Sequence, residues 1–250
     1  MKLSNYIRIV LVEPSHPGNV GSIARSMANM GIGNLALVAS RDFPSPVASN
    51  RACGADWILD GASVYRSLDE AVEDCALVFG TTARRRSISW PTVSPEEAMS
   101  MAVEAGSRFA VVFGRERNGL ENRELDCCNY MIRIDVDEDF PSMNLASAAT
   151  ILSYEFRKAA QGKRESELPE VDYATSEQLG GLIAHLEETL LLTEFLDGRS
   201  SLLIRKLRRL FNRSRLSREE VNILRGILTS VERKAGRKPP VRQSPDLGRE

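Results

Sequence analysis

Residues 109–150 read FAVVFGRERNGLENRELDCCNYMIRIDVDEDFPSMNLASAAT. An apolar run ends at Gly114, a charged turn follows, and a second apolar run extends over residues 131–134. An acidic loop then leads into the sequence Ser-Met-Asn at 142–144, which opens a predicted helix. Open α/β sheets build their sites in the polar loops beyond the ends of buried strands. The sequence therefore predicts a functional site in this stretch.

The composition limits the class of protein. The chain has 250 residues, of which 42% are hydrophobic and 27% charged, and its formal net charge is −1. This length allows one large domain, or one domain with a small appendage, around a sizeable core. A net charge near zero excludes a basic field over the whole molecule, so any signal for nucleic-acid binding must be local.

Cysteine usage and the N-terminal sequence both predict a cytoplasmic protein. The four cysteines form no CxxC pair, which favours reduced thiols over a disulfide framework or a metal site. The first apolar run, IRIVLV at 7–12, is too short for a signal peptide or a membrane span. We therefore expect neither a bound metal nor an association with membranes.

Strands and helices alternate over the first 160 residues, which predicts an α/β fold with a mostly parallel sheet. Residues 7–12 form a buried strand, and the loop after it ends at Asn19, the predicted N-cap of a helix that stops at Gly31. A strand at 35–38 completes a βαβ unit. A loop is predicted at 40–49, and further strands at 76–79, 109–113 and 131–134. The other predicted helices cover residues 68–75, the stretch from the capping box at Ser94 to Gly106, a short segment around 121–125, and residues 145–160.

The last third of the sequence has a different character. Residues 161–175 form a polar linker, and residues 176–238 form a helical extension, with helices predicted at 179–196, at 202–211 and after a capping box at Ser217. Between residues 199 and 238 there are 13 Lys or Arg against 3 Asp or Glu. This excess is either a solvated helical face or a surface that binds phosphates. Residues 239–250 are predicted to be disordered.

Three loops with small residues follow predicted strands. They read GNVGS at 18–22, GTTAR at 80–84 and GRERNG at 114–119. The first matches neither a dinucleotide fingerprint nor a P-loop, and a plain strand-to-helix turn also explains it. The Arg-Glu-Arg run could equally be a surface ion pair of little energetic value. Because the carboxyl ends of parallel strands meet at one edge, we expect the three loops to share a crevice.

Four segments, in this order, resemble the SPOUT superfamily of RNA methyltransferases. Within it they are most similar to the TrmJ subfamily, which methylates tRNA ribose. The resemblance covers about residues 7–160, and the helical extension also resembles that of the subfamily. The segments are GNVGSIARSMANMG at 18–31, VFGTTAR at 78–84, VVFGRERNGLENREL at 111–125 and IRIDVDEDFPSMNLASAATILSYE at 132–155.

This resemblance implies a methyltransferase domain at 1–160 whose C-terminal part is threaded into a trefoil knot. It also implies S-adenosylmethionine as cofactor, tRNA as substrate, and a homodimer with the site near its interface. The family often has a serine pair before Leu-Asn-Leu, whereas this chain has Pro141 before Ser142. The implied cofactor-binding residues are Thr81, Thr82, Ala83, Gly114, Ile134, Pro141, Ser142, Met143 and Leu145.

The resemblance also implies roles in the chemistry. A ribose hydroxyl is a poor nucleophile, so the enzyme must align it with an activated methyl group and help it lose its proton. Arg25 matches the arginine of the family's N-terminal motif, and a guanidinium is better suited to stabilise a developing alkoxide, or to clamp a phosphate, than to act as a base. Ser142 and Asn144 would orient the hydroxyl. The implied RNA-facing residues are Asn19, Arg84, Arg86, Arg115 and Glu116, with Arg115 and Glu116 forming an ion pair. We also predict that Arg84, Arg85 and Arg86, together with the basic helices from residue 199 onward, form a surface that contacts phosphates.

The predicted function is S-adenosylmethionine-dependent 2′-O-methylation of tRNA, at position 32 of the anticodon loop. One alternative is a ribose methyltransferase for another tRNA position or for ribosomal RNA. The alternative from a different class is a non-catalytic RNA-binding or assembly protein that keeps the fold.

Overall fold

A parallel sheet forms the centre of the protein. The computed structural model describes residues 6–82, 90–161, 172–197 and 201–236, and within them seven strands join in the order β3-β2-β1-β6-β4-β7-β5. Every neighbouring pair is parallel, which confirms the predicted α/β class. The strands are β1 (Ile7–Val12), β2 (Leu35–Val38), β3 (Ser63–Tyr65), β4 (Leu77–Thr81), β5 (Thr92–Val93), β6 (Phe109–Phe113) and β7 (Tyr130–Ile132).

Helices cover both faces of the sheet, and three more follow it in the chain. None of the helices in the described ranges is long and apolar enough to cross a membrane. The helices are α1 (Pro17–Met30), α2 (Pro46–Ala52), α3 (Asp56–Asp60), α4 (Leu68–Val72), α5 (Pro95–Ala105), α6 (Asn122–Leu125), α7 (Leu145–Ala160), α8 (Ser176–Leu192), α9 (Ser201–Ser214) and α10 (Arg218–Lys234).

Strand β1 separates two layers of core, because its side chains alternate between the faces of the sheet. Ile7, Ile9 and Leu11 join a cluster with α1, α2, α5 and α7, whereas Val10 and Val12 join a second cluster with α4 and α6. All six residues of β1 are buried. Burial on both faces explains why this strand is apolar at every position except Arg8, whose guanidinium pairs with Asp74.

Local capping chemistry was the most reliable sequence signal. Ser94 caps α5 in a reciprocal capping box, and Ser217 does the same for α10. Gly31 and Gly106 end α1 and α5 with φ of 76° and 63°, which are left-handed conformations that glycine adopts without strain. The predicted elements at 35–38, 109–113 and 145–160 are confirmed without change.

Other boundaries were wrong. Asn19 is not the N-cap of α1, because the helix already begins at Pro17, whose fixed φ suits a first helical turn. The predicted loop at 40–49 contains the start of α2, again at a proline. The predicted strands 76–79 and 131–134 correspond to β4 and β7, but their ends are displaced by one or two residues.

The remaining differences concern short elements and the helical extension. Helix α8 begins at Ser176, ahead of the predicted start at residue 179, because Thr175 and Gln178 form a capping box. The elements α3, β3 and β5 are only five, three and two residues long, too short for a periodic pattern to reveal.

The helical extension packs against the α/β unit through hydrogen bonds. The amide of Ser176 donates to the Cys75 carbonyl at 2.8 Å, which fixes the start of α8 beside α4. The side chain of Asn129 donates to the Asn212 carbonyl at 2.8 Å, and Asn212 donates to the Asp126 carbonyl at 3.1 Å. These bonds attach α9 to the segment between α6 and β7.

Gly21 provides a test of how α1 is held. A Cβ on Gly21 would lie 2.0 Å from the Ala48 carbonyl oxygen, so α1 and α2 approach too closely for a side chain at this position. We expect Gly21→Ala to force the helices apart and to destabilise the protein by about 1–3 kcal/mol. Urea unfolding monitored by circular dichroism measures the difference.

Gly180→Ala is the matched control. A Cβ on Gly180, in α8, meets nothing within 4 Å. The same substitution should therefore stabilise the protein by about 0.5–1 kcal/mol through helix propensity. Equal unfolding midpoints for the two variants would contradict the proposed close packing of α1 and α2.

Candidate active site

A cavity of about 590 Å³ lies at the carboxyl edge of the sheet. The loops after β1, β4, β6 and β7 line it together, which confirms the expected shared crevice. Its size is that of pockets that hold small molecules and cofactors. The predicted site residues in its lining are Asn19, Thr81, Thr82, Gly114, Arg115, Glu116, Ile134, Pro141, Ser142, Met143, Asn144 and Leu145.

The other predicted site residues are elsewhere. Arg25 is exposed on α1 and does not line the cavity. Ala83, Arg84, Arg85 and Arg86 lie outside the described residues. Within the described ranges, no group of three His, Cys, Asp or Glu side chains could hold a metal ion.

The turn after β6 is built on two glycines. A Cβ on Gly114 would lie 2.2 Å from the Gly119 carbonyl carbon and 2.3 Å from the Leu120 amide nitrogen. Gly119 has a φ of 66°, and its amide donates to the Arg115 carbonyl at 2.8 Å. Gly114 therefore has a structural reason to be glycine in addition to its position in the cavity wall.

Arg115 and Glu116 do not form the predicted ion pair with each other. Successive side chains after a strand point in different directions, and each of these two binds separate partners. The Arg115 guanidinium donates two hydrogen bonds to the Glu124 carboxylate, from Nη1 to Oε2 at 3.1 Å and from Nη2 to Oε1 at 3.0 Å. Its Nη2 also pairs with Glu13. Bidentate pairs of this kind fix orientation as well as adding energy.

The Arg115 cluster is partly withdrawn from water. The side chain of Arg115 is 14% exposed and that of Glu124 only 6%. The hydrogen bond to Glu13 raises the pKa of Arg115, because its effect is larger than the lowering caused by burial. The same bond lowers the pKa of Glu13. Glu13 has a φ of 44°, an uncommon conformation for a residue other than glycine, and its pairing with Arg115 stabilises it there.

Glu116 holds the loop after β1. Its Oε2 accepts from the Ser15 amide at 3.0 Å and the Ser15 hydroxyl at 2.8 Å, and its Oε1 accepts from the His16 amide at 3.3 Å and Asn19 Nδ2 at 3.1 Å. Burial alone raises the pKa of Glu116, but the bonds from Ser15 and Asn19 outweigh it, so the pKa lies below its ordinary value. The carboxylate therefore remains ionised.

A relay of side-chain amides continues from Glu116 to α7. Because Asn19 donates its Nδ2 to Glu116, its Oδ1 is left to accept from Asn144 Nδ2 at 3.3 Å. Asn144 must then turn its own Oδ1 towards α7, where it accepts from the amides of Ala146 at 2.9 Å and Ser147 at 3.3 Å. The ionised Glu116 thus determines which way both amides face.

The relay confirms Asn144 as the N-cap of α7 and gives it a second partner across the cavity. Thr81, by contrast, donates its hydroxyl to the Val112 carbonyl at 3.1 Å, so it is tied to the sheet and offers only an oxygen lone pair. Ser142 lies exposed at the opening. The cavity combines these polar groups with apolar walls from Ile132 and Leu145.

Sequence reasoning missed the carboxylates that hold Arg115. Glu13 directly follows β1, and Glu124 completes a capping box with Glu121 at the start of α6. The Glu-x-x-Glu spacing was a usable signal for the helix start, but Arg115 joins Glu124, nine residues after it, to Glu13, which is 102 residues before it. Ser15 was missed for the same reason.

Two family models match this chain. The SpoU rRNA methylase family matches residues 6–154, and the C-terminal domain of the tRNA methyltransferase TrmJ matches residues 177–240. The chain belongs to the SpoU methylase family. The resemblance to SPOUT and TrmJ methyltransferases is thereby confirmed.

Relatives of known name are similar over nearly their whole length. A tRNA (cytidine/uridine/adenosine-2′-O-)-methyltransferase TrmJ of Pseudomonas aeruginosa strain UCBPP-PA14 is 44% identical, over 92% of this chain and 95% of that protein. A tRNA (cytidine/uridine-2′-O-)-methyltransferase TrmJ of Escherichia coli K12 is also 44% identical, over 90% and 95%. The crystal structure of TrmJ from Z. mobilis ZM4 superimposes with a TM-score of 0.80 at 35% identity, over 90% of this chain and 98% of that one.

In this SpoU methylase, Glu116 should stabilise the fold in a pH-dependent way. Because the pKa of Glu116 is depressed in the folded state, its contribution is complete above the ordinary value of 4.5 and is lost as the pH falls through the folded value. We expect Glu116→Gln to lower the free energy of unfolding at neutral pH, with a gap to the unsubstituted protein that narrows below about pH 4.5. Urea unfolding at a series of pH values measures this gap.

Glu104→Gln is the control, because Glu104 is exposed on α5. It should leave the stability unchanged at every pH. A gap for Glu116→Gln that is independent of pH would contradict the idea that the ionised carboxylate organises the loops.

Proposed function

We propose that this protein transfers a methyl group from S-adenosylmethionine to a ribose 2′-hydroxyl in tRNA. The observation that carries the proposal is the convergence of residues 141–145, Thr81, Thr82 and the turn after Gly114 on one cavity. These residues come from separate parts of a chain that belongs to a methylase family, and the family resemblance implies cofactor and substrate roles for them.

The residues of the cavity fit the cofactor. Apolar walls at Ile132, Ile134 and Leu145 suit an adenine ring, and the loop backbone at 141–143 suits a ribose and an amino acid. Among the described residues of the wall, Glu116 is the only carboxylate, and it has its own donors and does not need one from a ligand. When bound, the cofactor supplies a methyl group made electrophilic by its sulfonium.

The chain's own residues then orient the nucleophile. Asn144, held by Asn19 on one side and by the first turn of α7 on the other, keeps a fixed position beside the cavity. Ser142 has a hydroxyl at the opening that can bond to the ribose hydroxyl. Fixing these groups in advance lowers the entropic cost of aligning the attacking oxygen.

In this proposal, Arg25 acts in the cavity of the partner subunit of a homodimer. Its guanidinium is exposed and absent from the cavity wall, which suits a residue that serves a second copy across a symmetric interface. There it would stabilise the developing alkoxide or clamp a neighbouring phosphate. The homodimer is therefore part of the proposal, because the site is incomplete without it.

The finer features of the fold are proposed on the same basis. A trefoil knot formed by the segment from β6 to α7 is supported by the placement of β7 between β4 and β5. We also propose a methyltransferase domain at 1–160, a linker at 161–175 and a helical extension at 176–238, whereas the tail at 239–250 lies outside the described residues. The two separate family matches, at 6–154 and 177–240, support that division.

We further propose a cytoplasmic enzyme that acts at position 32 of the anticodon loop. The names of the relatives support cytidine and uridine as target bases and differ over adenosine. Another position or ribosomal RNA is the alternative target, and a non-catalytic RNA-binding protein is the alternative of a different class. Arg84, Arg85 and Arg86 precede Trp90 in sequence and are proposed, with the basic helices, to contact phosphates.

Two measurements test the proposed activity. Titration calorimetry should detect S-adenosylmethionine binding to the purified protein. Mapping of 2′-O-methyl groups on unmodified tRNA incubated with protein and cofactor should then find methylation at position 32. If the cofactor binds but the methyl group is found at another nucleotide, the proposed target at position 32 is wrong. If the cofactor does not bind, the non-catalytic alternative is favoured.

Mixed dimers test the position of Arg25. The first chain carries Arg25→Ala. The second carries Asn144→Asp, which keeps an oxygen to cap α7 but removes the amide donor. Each variant alone should be inactive. If Arg25 serves the partner's cavity, an equal mixture of the two chains contains hybrids with one intact site, and should recover about a quarter of the normal activity.

The control for this experiment is a mixture refolded at a concentration too low for subunits to associate, which should stay inactive. An inactive mixture at high concentration, despite hybrids seen by native mass spectrometry, would assign Arg25 to the cavity of its own chain.

A further inference from the structure

Helix α9 carries basic side chains on two of its faces, and one face is neutralised by the fold. Arg205 donates from Nε to Asp126 Oδ2 at 2.6 Å and from Nη2 to Oδ1 at 3.2 Å. Arg208 lines a cavity together with Asp69, Glu73 and three further acidic residues. This face attaches the helical extension to the α/β unit, so its charge is not available to a ligand.

In the described part of the chain, the other face has one acidic contact, a long one between Arg209 and Asp126. Lys206, Arg209 and Arg213 are spaced three and four residues apart, which places them in one row along the helix. They line a second cavity of about 210 Å³ with Trp90, Pro91 and Asn129, and no acidic residue among those that the structure describes contributes to its wall. Lys206 and Arg213 are exposed, and neither forms an ion pair with any residue that the structure describes.

Arg209 is the fixed centre of this row. Its guanidinium lies 3.9 Å from the centroid of the Trp90 ring, and Trp90 is itself buried and donates from Nε1 to the Leu125 carbonyl at 3.1 Å. Asp126 is 3.8 Å away, at the limit of an ion pair, and Arg205 already occupies that carboxylate. Burial, partly offset by Asp126, lowers the pKa of Arg209, as expected for a cation with too little compensating negative charge.

This cavity lies at the other end of β7 from the catalytic one. Asn129 lines it just before β7, whereas Ile132 and Ile134, at the end of β7 and after it, line the catalytic cavity. Three to five residues of extended chain separate these positions, which corresponds to about 10–17 Å. An RNA of several nucleotides can contact both places.

We propose that Lys206, Arg209 and Arg213 form a binding site for backbone phosphates of tRNA, outside the cavity in which the ribose is methylated. The inference rests on the proposed function for the identity of the RNA. Three cations in one row, one of them held rigidly on an aromatic ring, are opposite in charge to consecutive phosphates of an RNA backbone. Since Arg209 covers the Trp90 ring, no base can stack there, and the contact adds affinity without reading sequence.

Charge-neutral variants test the site in the full-length protein. The double variant Lys206→Gln/Arg213→Gln removes two exposed cations of the row and leaves Arg209 and the Asp126 contacts in place. Fluorescence anisotropy with unmodified tRNA should find Kd raised about tenfold near 0.15 M salt, and the slope of log K against log salt reduced by about 1.5. The unfolding temperature and S-adenosylmethionine binding by calorimetry should not change.

Arg233→Gln/Lys234→Gln is the matched control. Both residues are exposed at the end of α10, and the substitution removes the same net charge. It should change Kd and the salt slope clearly less than the α9 variant does. An equal loss in both double variants would mean a diffuse basic field and would overturn the proposal, as would unchanged tRNA binding by the α9 variant.

Further outcomes separate this inference from the proposed function. A protein that binds tRNA but transfers no methyl group contradicts the function, while the two double variants still decide the phosphate site. If ATP binds the unsubstituted protein and not the α9 variant, while their tRNA affinities are equal, the site serves free nucleotides and the proposal is overturned.

Discussion

Two consecutive charged residues at the end of β6 hold the candidate active site together. Arg115 binds Glu13 after β1 and Glu124 in α6, whereas Glu116 accepts hydrogen bonds from Ser15, His16 and Asn19. Because β6 lies next to β1 in the sheet, opposite-facing side chains after β6 can fasten both sides of the β1 loop. Without these bonds, the loop would lose most of the contacts that set its position beside the cavity.

The same constraint reaches the proposed chemistry through the amide relay. Glu116 orients Asn19, Asn19 orients Asn144, and Asn144 caps α7. A carboxylate with its own hydrogen-bond donors thereby sets the geometry of Asn19 and Asn144, the second of which is proposed to orient the nucleophile, and preorganised sites are generally supported in this way. The exposed Arg25 lies outside this relay, and its contribution is proposed to come from the second copy.

The helical extension uses its positive charge in two ways. Arg205 and Asn212 attach α9 to the segment around Asp126, whereas Lys206, Arg209 and Arg213 lie along the adjacent side of the helix and line a separate cavity. A count of charges in the sequence cannot separate these groups, since all belong to one basic run. The division depends on which acidic residues the folded α/β unit presents to α9.

The sequence by itself determined the α/β class, the capping boxes at Ser94 and Ser217, and the helix ends at Gly31 and Gly106, because these depend on residues within a few positions of one another. It also identified the loops that line the cavity, since parallel strands deliver their carboxyl ends to one edge. Only the tertiary structure decided that Arg115 pairs with Glu13 and Glu124 rather than with Glu116, that Arg25 lies outside the cavity of its own chain, and that α9 has one neutralised and one open basic face. Those outcomes depend on partners about a hundred residues apart, or on a neighbouring element, and no local pattern encodes such distances.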